Sequence, residues 1–120
     1  MDLGKLTPAP WASRPGDPGD CVISKAAGNV TVAAEIDEDT SDAAFIALAR
    51  NAFDVMMRRG WNAARDIHRT WFVQNTNCNA IHRVEDNDYL AGSRIARFPD
   101  PFTALIEADK WYAANRGDHP

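Results

Sequence analysis

Cysteine is scarce in this chain of 120 residues: Cys21 and Cys78 are the only two, far apart and without CxxC spacing. That scarcity excludes a disulfide scaffold and fits a reduced intracellular protein. Long apolar runs are missing as well. The opening residues Met1 to Leu6 lack the apolar stretch of a signal peptide, and nothing reaches the length of a bilayer span, so the expectation is a cytoplasmic protein with no membrane partner. No phosphate-binding Gly-rich loop, HExxH, GxSxG or paired catalytic motif occurs. Positive charge is in deficit, with 17 acidic against 13 basic residues and a formal charge of -4. Generic electrostatic DNA binding by the whole molecule is thereby excluded, although a local basic face is not.

What is present belongs to a soluble globular protein: 45% apolar, 25% charged and 9% aromatic content. A chain near this length buries roughly two thirds of its unfolded surface and needs no metal or cofactor to fold. The expected layout is an extended Pro/Gly-rich arm over 1–20, a single domain over 21–116 and a tail over 117–120. Pro8, Pro10, Pro15 and Pro18 with Gly16 and Gly19 deny the arm both helix and central strand. Trp11 is the large aromatic within it and is expected to dock on the domain.

Cys21 to Ser24 and Val30 to Ile36 read as a hairpin, the second run alternating Val30, Val32, Ala34 and Ile36 against Thr31, Ala33 and Glu35. Gly28 and Asn29 are the residue types that accept positive φ in its loop. A helix is expected to start near Ser41, with Phe45, Ile46, Leu48, Phe53 and Met56 at helical spacing and Arg58, Arg59 and Gly60 as its stop. Residues 61–68 fit neither period. Thr70 to Gln74 and Ala80 to Val84 flank an Asn-rich loop as a second hairpin, followed by a polar turn at Glu85 to Asp88 and a strand within Ser93 to Phe98. Asp100 and Pro101 then open a last helix, with Phe102, Leu105 and Ile106 on its apolar side. Phe45, Leu48, Phe53, Leu105 and Ile106 are expected in the core. The implied class is α+β: a two-layer fold, its mostly antiparallel sheet covered by two main helices. Each half runs aromatic segment, hairpin and helix, which raises a hairpin-helix pseudo-repeat as an expectation.

The first half, with Leu6-Thr7-Pro8-Ala9-Pro10-Trp11 and Asp42-Ala43-Ala44-Phe45-Ile46-Ala47-Leu48-Ala49-Arg50, resembles short phage and prophage proteins of unknown function. Ala9 stands where their pattern has Gly. The second half is similar to small uncharacterised bacterial proteins ending in Phe-x-Asp-Pro-Phe-Thr-Ala-Leu-Ile-Glu-Ala-Asp-x-Trp, here Phe98 to Trp111. The resemblance implies a phage or mobile-element setting and carries over no activity and no site residue.

Charge is unevenly divided: residues 1–42 hold 3 basic and 8 acidic side chains, 43–83 hold 6 and 2, and 84–120 hold 4 and 7. The middle segment supplies the candidate binding residues Arg58, Arg59, Trp61, Arg65, His68, Arg69 and Arg83, guanidinium forks for an anion and rings for stacking. The plainer reading makes them a solvated surface, with Arg58 and Arg59 serving the helix end. Cys78, His82 and His68 lack the spacing of a zinc site or a nucleophile and base pair, so no metal and no catalytic residue is assigned. The acidic run from Glu35 to Asp42 lacks the pattern of an EF-hand loop. Together these features point to non-enzymatic binding with a protein partner. The alternative is a binder of, or enzyme on, a phosphorylated or anionic small molecule at the central Arg/His/Cys cluster.

Overall fold

Gly28 and Asn29 take φ values of 76° and 65°, the left-handed conformations a tight reversal needs, and there the chain turns between β2 (Asp20–Ser24) and β3 (Val30–Ile36). The computed structural model of the chain describes residues 2–85 and 93–116. Within them the protein is α+β, with two helices and seven strands in three small antiparallel sheets. The expected Glu85 to Asp88 turn, beyond Glu85, and the 117–120 tail lie outside the described residues. The chain forms two compact units, Met1–Asp54 and Val55–Pro120, divided inside α1 (Asp42–Arg59).

In the first unit the Pro-rich segment is extended, and part of it is a strand. β1 (Trp11–Arg14) pairs antiparallel with β2, giving the order β1-β2-β3. Prolines on both sides of β1 are tolerated because it lies at the sheet edge. Trp11 is half-buried, and its ring N–H donates to the carbonyls of Thr7 and Pro8. Its backbone is held from α1: the Trp11 N–H donates to Asn51 Oδ1 at 2.7 Å, and Asn51 Nδ2 donates to the Trp11 carbonyl at 2.9 Å. Ser24, fully buried, donates its hydroxyl to Pro8 O at 2.6 Å and accepts the Ala27 N–H.

The strict alternation expected of β3 fails. Register shifts between Asp20 and Ile23 leave the sequence neighbours Val32 and Ala33 both packed against the core. That core joins buried Val22 to Ala43 and Ala47 of α1, with Trp11, Ile36 and Ile46 around it. Small alanines let the helix approach the sheet closely. Phe45, expected in the core, is 53% exposed. It sits two residues from both Ala43 and Ala47, about 200° round the helix from either, so the face that reaches the sheet excludes it.

In the second unit, residues 62–65, which fit neither period, form β4 (Asn62–Arg65), antiparallel to β5 (Trp71–Gln74). The expected hairpin between β5 and residues 80–84 shrinks to a bridge between Gln74 and Ala80 and one bond from Ile81 N–H to Val73 O. The chain then leaves β5, and β6 (Arg83–Glu85) pairs instead with β7 (Ser93–Ile95). α2 (Pro101–Asn115) starts as its sequence predicts: Asp100 accepts the Thr103 N–H at 2.7 Å, with proline in the first turn. It packs on β4 and β5, with Ala104, Leu105 and Ala108 buried. The halves share the order of strands then helix but not a sheet plan, since three paired strands face two separate pairs. The topology therefore gives the pseudo-repeat no support.

Candidate functional site

The sequence-derived binding residues fall in the second unit, where they separate into three places. At the end of α1, Arg58 forms two hydrogen bonds to the Asp109 carboxylate, at 3.2 and 3.1 Å, and Arg59 Nε donates to the same group at 2.8 Å. Arg59 keeps only 10% of its side chain exposed and lies 5.1 Å from the Trp61 ring centre and 4.7 Å from that of Tyr112. Trp61 and Tyr112 meet edge to face. Burial would raise the Asp109 pKa, but the hydrogen bonds and charges of Arg58 and Arg59 outweigh it and hold that carboxyl below its ordinary value. Arg58, Arg59 and Trp61 thus come together as a structural joint within the unit.

The second place is the turn from β4 to β5. Asp66 Oδ1 accepts the backbone N–H groups of His68 and Thr70 and the Thr70 hydroxyl, while Oδ2 takes a charged hydrogen bond from Arg97. Burial works against the Asp66 anion, yet these donors outweigh it, and its pKa lies below the ordinary carboxylate value. Asp66 N–H donates to Thr70 O, and Arg69 N–H closes on Asp66 O with Arg69 at a φ of 63°. The turn is fixed by its own polar groups, and its tip projects outward: Ile67 is 92% exposed and is followed by exposed His68 and Arg69. Arg65, beside it, lies 6.0 Å from the Trp71 ring centre.

The third place is an open hollow of about 770 Å³ along β6 and β7. Among the described residues Arg83, Arg94 and Arg97 are the charged ones that line it, and Ile95 and Phe98 supply apolar surface. His82 also lines it. The imidazole lies between the rings of Trp111 and Phe98, at 5.3 and 5.5 Å, and its Nδ1 is buried without a hydrogen-bond partner. Burial pushes its pKa below the ordinary histidine value, with Glu107 pulling weakly the other way.

His68 stands at the β4–β5 turn, and Cys78, with a φ of 62°, is exposed in the turn Asn75 to Asn79. Among the described residues no group of three or more His, Cys, Asp or Glu side chains could hold a metal ion. No helix among them is long and apolar enough to cross a membrane. Sequence reasoning missed Asp66, Ile67, Arg94 and Arg97. An Asp followed by Thr four residues on is a signal for the first, whereas Arg94 and Arg97 were hidden by averaging over an acidic segment. Compared with family models, curated proteins and solved structures, the chain matches none.

Proposed function

We propose that this chain is a small cytoplasmic binding protein of phage or mobile-element type, which acts without catalysis by contacting another protein through its β4–β5 turn. The phage setting is supported by the Thr7 to Trp11 and Asp42 to Arg50 motifs, and the compartment by the scarcity of cysteine. The contact is supported by one observation above all: Ile67 is 92% exposed on a turn that Asp66 holds rigid. Folding gains nothing from that side chain, whose burial in a partner would be worth roughly 1.5–3 kcal/mol. Because the turn is already ordered, binding loses little conformational entropy. Arg65, His68 and Arg69 around the tip favour a partner whose apolar pocket is rimmed by carboxylates.

The test is capture from host lysate with the wild-type chain, Ile67→Val and Ile67→Asp in parallel. The same protein should be retained by the first two and lost by the third, with all three melting alike because the side chain is solvent-exposed. Recovery of one unchanged set by wild type and Ile67→Asp would refute the reading.

A further inference from the structure

We infer that the outer edge of β4 takes up an extended acidic segment of a protein partner as an added strand. This inference rests on the reading of the β4–β5 turn given above, and it specifies how the partner is held there.

The first support is the hydrogen-bond pattern. On β5, the Trp71 N–H donates to Phe98 O, the Phe98 N–H donates to Trp71 O, and the Ile81 N–H donates to Val73 O. Residues 71 and 73 therefore point away from β4. Bonding alternates along an antiparallel ladder, and here Asn62 stands opposite Gln74, Ala63 opposite Val73, Ala64 opposite Phe72 and Arg65 opposite Trp71. Asn62 and Ala64 bond to β5, while the N–H and C=O groups of Ala63 and Arg65 face outward. The Asp66 N–H, next in the alternation, donates to Thr70 O, as that phase requires. Phe98 and Ile81 thus occupy the far edge of β5, whereas among the described residues the outward groups of β4 have no hydrogen-bond partner. The β4–β5 register runs without a bulge, and β4 contains no proline, so neither device blocks an incoming strand.

The second support is charge, which selects the occupant. Arg65, His68 and Arg69 are exposed where β4 enters the turn, and neither arginine has a carboxylate partner among the described residues. Ile67 follows Arg65 by only two positions, so a strand running past Arg65 arrives at the exposed apolar tip. A segment that alternates carboxylate and apolar side chains meets both features. Main-chain bonds to Ala63 and Arg65 then supply affinity, and the alternate side chains supply choice of partner. A second copy of β4 would bring Asn-Ala-Ala-Arg, which has no carboxylate and adds a further guanidinium.

The experiment is selection of a display library of short random peptides on the full chain, followed by titration of the enriched peptides observed through backbone-amide NMR. Enriched peptides should alternate acidic and apolar residues. Their binding should shift the Ala63 and Arg65 amides and slow the hydrogen exchange of both. Methylating the peptide's backbone nitrogens one at a time should weaken binding at least about tenfold at alternate positions and little between them. Ala63→Pro removes an outward N–H and no bond to β5, so it should melt close to wild type and lose a similar factor. If that variant fails to fold, the methylated peptides decide. Peptides that protect the same amides in Ile67→Asp as tightly as in wild type would support the added strand and refute the turn as anchor. Peptides that require Ile67 but leave the Ala63 and Arg65 amides unchanged would overturn the added strand and leave the turn standing. No enrichment, enrichment of basic peptides, or protection of these amides by self-association of the chain alone would each overturn the proposal.

Discussion

Arg59 Nε meets Asp109 Oδ1 at 2.8 Å, joining the end of one helix to the middle of another across fifty positions of sequence. The guanidinium is also flanked by the Trp61 and Tyr112 rings, so its planarity matters as much as its charge. Arg59→Lys should therefore destabilise the second unit although charge is retained. Chemical denaturation followed by tryptophan fluorescence reads this directly, and a midpoint equal to wild type would contradict the role.

Acid should weaken the same joint. The folded Asp109 pKa lies below its ordinary value of 3.8, so its contribution is present above that value and is lost as pH falls through the lower folded one. Asp109→Asn should be less stable than wild type at neutral pH, and the gap should narrow below about pH 3.8. A gap independent of pH would mean that packing, not the ion pairs, carries the effect.

His82 titrates over a different window. Its folded pKa lies below 6.5, so in the unfolded chain it takes up a proton first as the pH falls. Stability attributable to His82 is full above about pH 6.5 and declines as the pH falls toward the folded value. His82→Phe, which keeps a ring between Trp111 and Phe98, should flatten the stability profile between about pH 7.5 and 5.5. An unchanged slope would place the titration elsewhere.

Leu105 is 2% exposed whereas Phe45 is 53% exposed. Leu105→Ala should cost about 2–5 kcal/mol, through lost transfer energy and the cavity left behind. Phe45→Ala should cost less than half as much despite removing more atoms. Urea titrations of the two variants decide it, and equal losses would contradict the assigned helix faces.

Asn51→Ala should cost about 1–3 kcal/mol, because it leaves both backbone groups of Trp11 without a protein partner. Deletion of residues 1–12 should lower the melting temperature by several degrees through the same loss, and unchanged melting would show that the segment adds nothing to the fold.

Where local chemistry decides the structure, it was legible. Asp100 with Pro101, Gly60 after Arg59, and Gly28 with Asn29 each produced the cap, stop or turn their residue types favour. Where a distant strand decides, it was not. Asn62-Ala63-Ala64-Arg65 has no β-branched residue and becomes β4 only because Trp71 to Gln74 provides a ladder. Likewise Arg83 to Glu85 changes partner from β5 to β7, a choice no local pattern encodes. The candidate site divides in the same way. The basic character of the middle segment was visible, but Arg58 and Arg59 are occupied by Asp109, a residue far along the chain. Ile67 carried no periodic signal, and its exposure follows from the Asp66 turn.

The amide clamp on Trp11 also sets an order of events at the ribosome. Asn51 is added 40 residues after Trp11, so at typical synthesis rates the clamp is missing for roughly 2–8 s after Trp11 has been joined to the chain. β1 and β2 are complete well before then, leaving the Trp11 N–H and carbonyl on the outer edge of β1 open to any passing strand. The prolines on either side of β1 limit that exposure to a short ladder, and they protect the nascent chain during the interval in which its own lock has not yet been made.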